Sequence, residues 1–224
     1  MAKIAASVLN ADTTKWKEWL PELQKARVDR IQFDIMDKKF VPNVGIDKEL
    51  ILEMQPHTNI FFESHLMVEK PQNYIKEFAE IGNRLLIFHV ETTKEPLKLI
   101  KQIKDFGIEA GIALNNKTSP KKILPLLDKV DLALVMSVEA GFGGQKFDEK
   151  SLGKIKILRK KIDNQGLGCL IEVDGGINSK TASKSVAAGA DVLVAGTFIF
   201  SHPKGIFEAV EELRKAAKPL TQRL

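Results

Sequence analysis

The chain is 224 residues long, 44% hydrophobic and 28% charged, a size at which a folded domain buries about 70% of its unfolded-chain surface and needs no disulfide or structural metal to hold a core. Its 34 Lys and Arg against 29 Asp and Glu leave a net charge of +5, but the signs are interleaved, as in Lys15, Lys17 and Glu18 or Lys146, Asp148, Glu149 and Lys150; no basic tail or binding module points to nucleic acid as a partner. A single cysteine, Cys169, excludes an internal disulfide, no apolar run approaches the roughly 20 residues of a membrane span, and the first ten residues carry no basic-then-apolar leader, so a cytoplasmic protein without membrane contact is expected.

Short β-rich runs alternate with longer amphipathic segments from one end to the other. Strands are predicted at 4–9, 30–36, 60–66, 85–90, 110–114, 132–138, 170–173 and 192–195, with helices at 14–26, 47–54, 71–81, 95–106, 119–127, 149–164, 179–188 and 203–217. Thr14 and Ser179 read as helix N-caps, Ser119 as a cap ahead of Pro120, and Gly107 and Gly189 as helix exits. Eight units in 224 residues, about 28 each, make an α/β protein of the (β/α)8 TIM-barrel type, one domain over residues 1–224. An open doubly wound sheet would need a glycine fingerprint after its first strand. This chain has Ser7-Val8-Leu9-Asn10-Ala11-Asp12 there and keeps its Gly-rich turns for later units.

A barrel gathers the C-terminal ends of its strands on one face, where reactive groups belong. In order, those ends offer Ser7; Gln32, Asp34 and Asp37; His65; His89 and Glu91; Asn115; Met136 with the loop Gly141-Phe142-Gly143-Gly144-Gln145; Asp174-Gly175-Gly176; and Gly196-Thr197. Strand alternation puts Gln32, Asp34 and Met36 on one face of the second strand, directed into the barrel. A carboxylate among Ile31, Phe33 and Ile35 is costly to bury without a partner. Taken singly, Asp34, Asp174 and His65 would pass for a paired structural acid, a turn former and a core histidine; together at three strand ends of one barrel they read as chemistry. Glycines after the seventh and eighth strands let backbone N–H groups approach an anion, so Gly175, Gly176, Gly196 and Thr197 read as a phosphate grip, with residues 141–145 adding amides or a mobile lid.

At these residues the chain resembles the ribulose-phosphate 3-epimerase family. The matching segments are Ser7 to Asp12, Phe33-Asp34-Ile35-Met36-Asp37 with Phe40-Val41-Pro42-Asn43, His65-Leu66-Met67, His89-Val90-Glu91, Gly141 to Phe147, Glu172 to Ile177 and Val194-Ala195-Gly196-Thr197, and they run along nearly the whole chain. The resemblance implies a barrel of the ribulose-phosphate-binding type, a homo-oligomer that interconverts D-ribulose 5-phosphate and D-xylulose 5-phosphate in the pentose phosphate pathway. It implies Asp34 and Asp174 as the acid/base pair, Ser7 and His65 as substrate contacts, and Gly141, Phe142, Gly143, Gly144, Gly175, Gly176, Gly196 and Thr197 around the sugar and its phosphate, with Met36, Met67 and Met136 lining the site.

The resemblance further implies one divalent metal ion (Zn2+, Mn2+, Fe2+ or Co2+) on Asp34, His65 and Asp174, with Gln32 standing where the family places a further histidine ligand. A glutamine oxygen is neutral and harder than an imidazole nitrogen, so weak ligation and lowered affinity for zinc or ferrous iron are expected. Asn10, Lys38-Lys39, Asn116 and Ala140 also depart from the family's pattern. Two other functions stay open at this point: epimerisation of another ketose phosphate such as allulose 6-phosphate, and sugar-phosphate binding without turnover because Gln32 has removed the metal. Decarboxylation of a keto-sugar acid phosphate in a related barrel calls for a lysine among the strand-end carboxylates, and the Asp34 and His65 segments fit epimerisation better.

Overall fold

Eight parallel strands, β1 (Lys3–Ser7), β2 (Arg30–Met36), β3 (Phe61–Met67), β4 (Leu85–His89), β5 (Glu109–Leu114), β6 (Leu132–Met136), β7 (Leu170–Asp174) and β8 (Val192–Ala195), close on themselves in sequence order, β8 pairing with β1. Around them lie α1 (Trp16–Lys25), α2 (Lys48–Met54), α3 (Ile75–Glu80), α4 (Pro96–Asp105), α5 (Lys150–Gln165), α6 (Ser179–Ala188), α7 (Thr197–Phe200) and α8 (Ile206–Ala216). This is the expected (β/α)8 barrel. It is seen in a computed structural model that describes residues 2–218; Met1 and residues 219–224, which fall within the domain expected from the sequence, lie outside the described residues. Among the described residues no helix is long and apolar enough to cross a membrane.

Three local expectations are corrected. The helix expected at 119–127 is two 3-10 turns, Pro120–Lys122 and Leu124–Leu126, because Pro125 has no N–H to donate and its ring crowds the preceding turn. Asp12, not Thr14, caps the first turn, accepting the Thr14 N–H at 3.1 Å. Asn178, not Ser179, caps α6 in a reciprocal box with Thr181.

Alternation along the strands divides the core into two. Outward residues such as Ile4, Phe33, Leu66, Phe88 and Val173 pack against Leu23, Ile51, Ile103 and Leu158 of the helices, while Ala5, Leu85, Ile87, Leu132, Leu134 and Val192 fill the barrel. Cys169 is buried and its thiol is pushed up to about 12, first by burial and then by Asp131, as suits a packing residue.

One sector of the interior is charged. Arg30, Glu63 and Glu172 are buried together, with the Arg30 guanidinium 2.7 Å from Glu63 and 3.7 Å from Glu172. One guanidinium serves two carboxyls, and burial, then the neighbouring Glu63, raises Glu172 well above the usual range, which favours its protonated form. Stability from a raised carboxyl is complete below the ordinary glutamate value and is lost as pH climbs through the folded one. Glu172→Gln should therefore match or exceed the parent in denaturant unfolding, most visibly at alkaline pH. Arg30→Met, which strands Glu63 in the core, should lose about 3–5 kcal/mol.

Candidate active site

The register of the barrel brings the strand-end groups together. Asp34 on β2 pairs laterally with His65 on β3, and Met136 on β6 with Asp174 on β7. Because Gln32 and Asp34 share the inward face, the Gln32 amide reaches both carboxylates: Nε2 donates to Asp34 Oδ1 at 3.2 Å and to Asp174 Oδ2 at 3.1 Å. Ser7 Oγ donates to the other Asp34 oxygen at 2.7 Å. His65 Nδ1 lies 3.1 Å from Asp34 Oδ1 and 4.0 Å from Asp174 Oδ2.

These groups share too little donor capacity for the charge they carry. Burial, then the Asp34 carboxylate, pushes Asp174 up to about 7, so near neutrality Asp174 is poised between acid and base. Gln32 Oε1 is buried with no hydrogen-bond partner, an arrangement that costs about 1–3 kcal/mol.

Asp34 and Asp174 open on a cavity of about 500 Å³. Met67, Met136, Gly141, Phe142, Gly143, Gly144, Gly175, Gly176, Gly196 and Thr197 line it. Ser7 and His65 are buried behind Asp34 and meet the cavity through it. Met36 is not among the lining residues; it packs with Phe40 against the interior apolar cluster.

The loop after β6 is tied over this cavity. Asn43 donates to the Gly141 carbonyl at 2.9 Å, and the Gln145 amide donates to the carbonyls of Glu139 and Phe142 at 2.7 and 2.8 Å. Gly143 passes so close to Asn10 that a Cβ would fall 1.7 Å from its Oδ1, and Gly176, at φ +60°, would put one 2.5 Å from the Phe147 nitrogen; side chains at either position would force the loops apart. Beneath them, the Ser137 N–H and hydroxyl both donate to the Asp174 carbonyl at 2.8 Å, fixing the end of β7.

Sequence reasoning placed His89 and Glu91 at a strand end without a role. The structure sets them directly behind His65: His89 Nε2 is 2.9 Å from His65 Nε2, and His89 Nδ1 is 3.2 Å from Glu91 Oε2. Burial pulls His89 down to about 4. Burial would raise Glu91, but the His89 hydrogen bond and further donors hold it down at about 2. The His-x-Glu spacing was the available signal: His89 ends β4 and Glu91 follows two residues later in the turn after it. Lys180 and Lys184, also missed, line the far wall of the cavity with Lys146, and their spacing of one helical turn on α6 was the clue.

Residues 3–200 match the model of the Ribulose-phosphate 3 epimerase family. The ribulose-phosphate 3-epimerase of Bacillus subtilis is 38% identical over 215 residues, covering 96% of this chain and 99% of that protein. That of Methanocaldococcus jannaschii is 40% identical over 217 residues, covering 97% and 92%. Among solved structures, KGPDC from Streptococcus mutans aligns with a TM-score of 0.73 at 16% identity, over 97% of this chain and 97% of that one. A 3-hexulose-6-phosphate synthase aligns at 0.70 and 16% identity, over 97% and 100%; at such identity these likenesses show the fold alone.

Proposed function

The chain belongs to the ribulose-phosphate 3-epimerase family, and from that premise we propose that it interconverts D-ribulose 5-phosphate and D-xylulose 5-phosphate. It is an isomerase of a carbohydrate phosphate, and the observation that carries the reaction is the pairing of Asp34 and Asp174, from β2 and β7, on one cavity. Inverting the carbon beside a ketone requires a proton to leave one face and another to arrive on the opposite face. Two carboxyls can do this when one begins ionised and the other protonated, and Asp174, pushed up to about 7 by burial and by its neighbour, is poised for that exchange. Ser7 Oγ and Gln32 Nε2 orient the Asp34 carboxylate from two sides. The glycine-lined end of the cavity, with Gly143, Gly144, Gly175, Gly176, Gly196 and Thr197, takes the phosphate.

The same centre suits a divalent ion. Asp34, His65 and Asp174 each offer one ligand atom, all within 4.8 Å of one another, comparable with twice the about 2.0–2.6 Å of usual ligand distances. Gln32, whose amide touches both carboxylates and whose oxygen lacks a donor, completes the set. When bound, the ion supplies Lewis-acid stabilisation of negative charge on the substrate oxygens. With the acid/base pair and this cluster in place, the reading of Gln32 as the mark of a binder without turnover is set aside.

The test is to follow loss of the C3 proton of ribulose 5-phosphate into D2O by NMR, using chelator-treated protein before and after adding Zn2+, Mn2+, Fe2+ or Co2+. Exchange that returns with metal supports the assignment, and silence with every ion defeats it. A higher kcat/KM on a six-carbon ketose phosphate would keep the chemistry and move the substrate. The family resemblance also supports a cytoplasmic homo-oligomer, which light scattering of the purified protein would check.

A further inference from the structure

Behind the acid/base centre a row of buried groups runs from β2 to the turn after β4. Glu91 Oε1 accepts the N–H of Asn115 at 2.9 Å, and its Oε2 faces His89 Nδ1 at 3.2 Å. His89 Nε2 meets His65 Nε2 at 2.9 Å; the rings are inclined by only 23° with centroids 5.0 Å apart, so the nitrogens meet edge to edge. His65 Nδ1 then faces Asp34 Oδ1 at 3.1 Å. Both imidazoles are wholly buried, and neither they nor Glu91 line the substrate cavity.

Hydrogen placement along this row has two solutions. A carboxylate only accepts, so Glu91 and Asp34 each call for an N–H on the ring nitrogen facing them, and a row of two neutral rings satisfies only one. Asp34 already accepts from Ser7 Oγ and Gln32 Nε2, so the N–H goes to His89 Nδ1, against Glu91. A neutral His89 is then bare at Nε2 and accepts from His65 Nε2–H, which leaves a neutral His65 bare at Nδ1. In the reverse solution every proton sits on the opposite nitrogen, and His65 Nδ1–H donates to Asp34.

We propose that Glu91, acting through His89, sets His65 in the tautomer whose Nδ1 lone pair is turned toward Asp34 and Asp174. Glu91 and His89 are thus positioning residues: they keep His65 a ligand rather than a donor, and leave Asp34 Oδ1 to the Gln32 amide. The consequence for cation binding rests on the function proposed above, whereas the tautomer does not.

The isosteric variant Glu91→Gln reverses the row. The Asn115 N–H still needs an acceptor, so the new amide oxygen takes the place of Oε1 and the NH2 group faces His89 Nδ1. A donor there forces the opposite tautomer on both histidines with almost no change in shape. The experiment is long-range 1H–15N correlation on ion-free protein carrying 15N-histidine, with His57→Gln and His202→Gln used to assign the four histidines, and Zn2+ affinity measured by chelator competition. The parent should show His65 protonated at Nε2 and bare at Nδ1. Glu91→Gln should show the reverse and bind Zn2+ about 10–100-fold more weakly.

His65 protonated at Nδ1 in the parent overturns the proposal, and that measurement stands even if the variant does not fold. An unchanged tautomer in folded Glu91→Gln overturns it too, and a reversed tautomer with unchanged Zn2+ affinity overturns the ligand-setting role. The expected tautomers in a protein without epimerase activity would instead defeat the functional reading and leave the row as described.

Discussion

Asp34→Asn and Asp174→Asn should each slow epimerisation by about 10²–10⁴-fold, the usual contribution of one acid/base group, with little change in substrate affinity because the glycine-lined phosphate end is untouched. The informative result lies in isotope exchange. A carboxyl that remains can still remove and return the proton on its own face of the sugar, so each variant should wash the C3 proton into solvent from one epimer and not from the other. The surviving epimer should differ between the two variants. Asp34→Asn should also shift the pH profile. Burial and then the Asp34 charge hold Asp174 up at about 7; removing that charge lets Asp174 titrate lower, so residual exchange in this variant should persist to more acidic pH than in the parent. Exchange of both epimers by either variant would mean that one base serves both faces, and the two-carboxyl mechanism would fall.

The parts of this site that could be read in advance are those set by local rules. The strands at 30–36 and 192–195 have the predicted bounds: the alternation of Ile31, Phe33 and Ile35 with Gln32 and Asp34 marks the first, and the unbroken apolar run Val192-Leu193-Val194-Ala195 marks the second. The inward direction of Gln32 and Asp34 followed from a period of two. Lateral register was not legible: that Asp34 falls beside His65, and that the Gln32 amide spans to Asp174, 142 residues away, depends on the closure of the whole barrel. Met36 shows the limit of periodicity. It lies on the same face as Asp34 but at the last position of β2, half-buried, where it packs with Phe40 instead of lining the cavity. The helix expected at 119–127 failed for a reason visible in the sequence, Pro125, whereas the cap at Asn178 turned on which of two adjacent polar residues took extended backbone.

Gln32→His should raise Zn2+ affinity by about tenfold or more and at the same time lower the melting temperature of the ion-free protein. The two effects have one cause. Without an ion, the Gln32 NH2 group supplies two hydrogens, one to Asp34 and one to Asp174; an imidazole nitrogen has at most one, so one of the two carboxylates loses a donor in a buried, like-charged pair. With an ion, the neutral and poorly donating amide oxygen gives way to a softer nitrogen that suits zinc better, and each tenfold gain in affinity adds about 1.4 kcal/mol to the loaded state at a fixed zinc excess. Thermal melting with chelator and with Zn2+ should therefore show a wider gap for the variant than for the parent, opened from both ends. Mg2+, which prefers oxygen ligands, should show no such widening. A zinc-induced shift equal to the parent's would place residue 32 outside the coordination set, leaving its amide the sole task of bridging the two carboxylates.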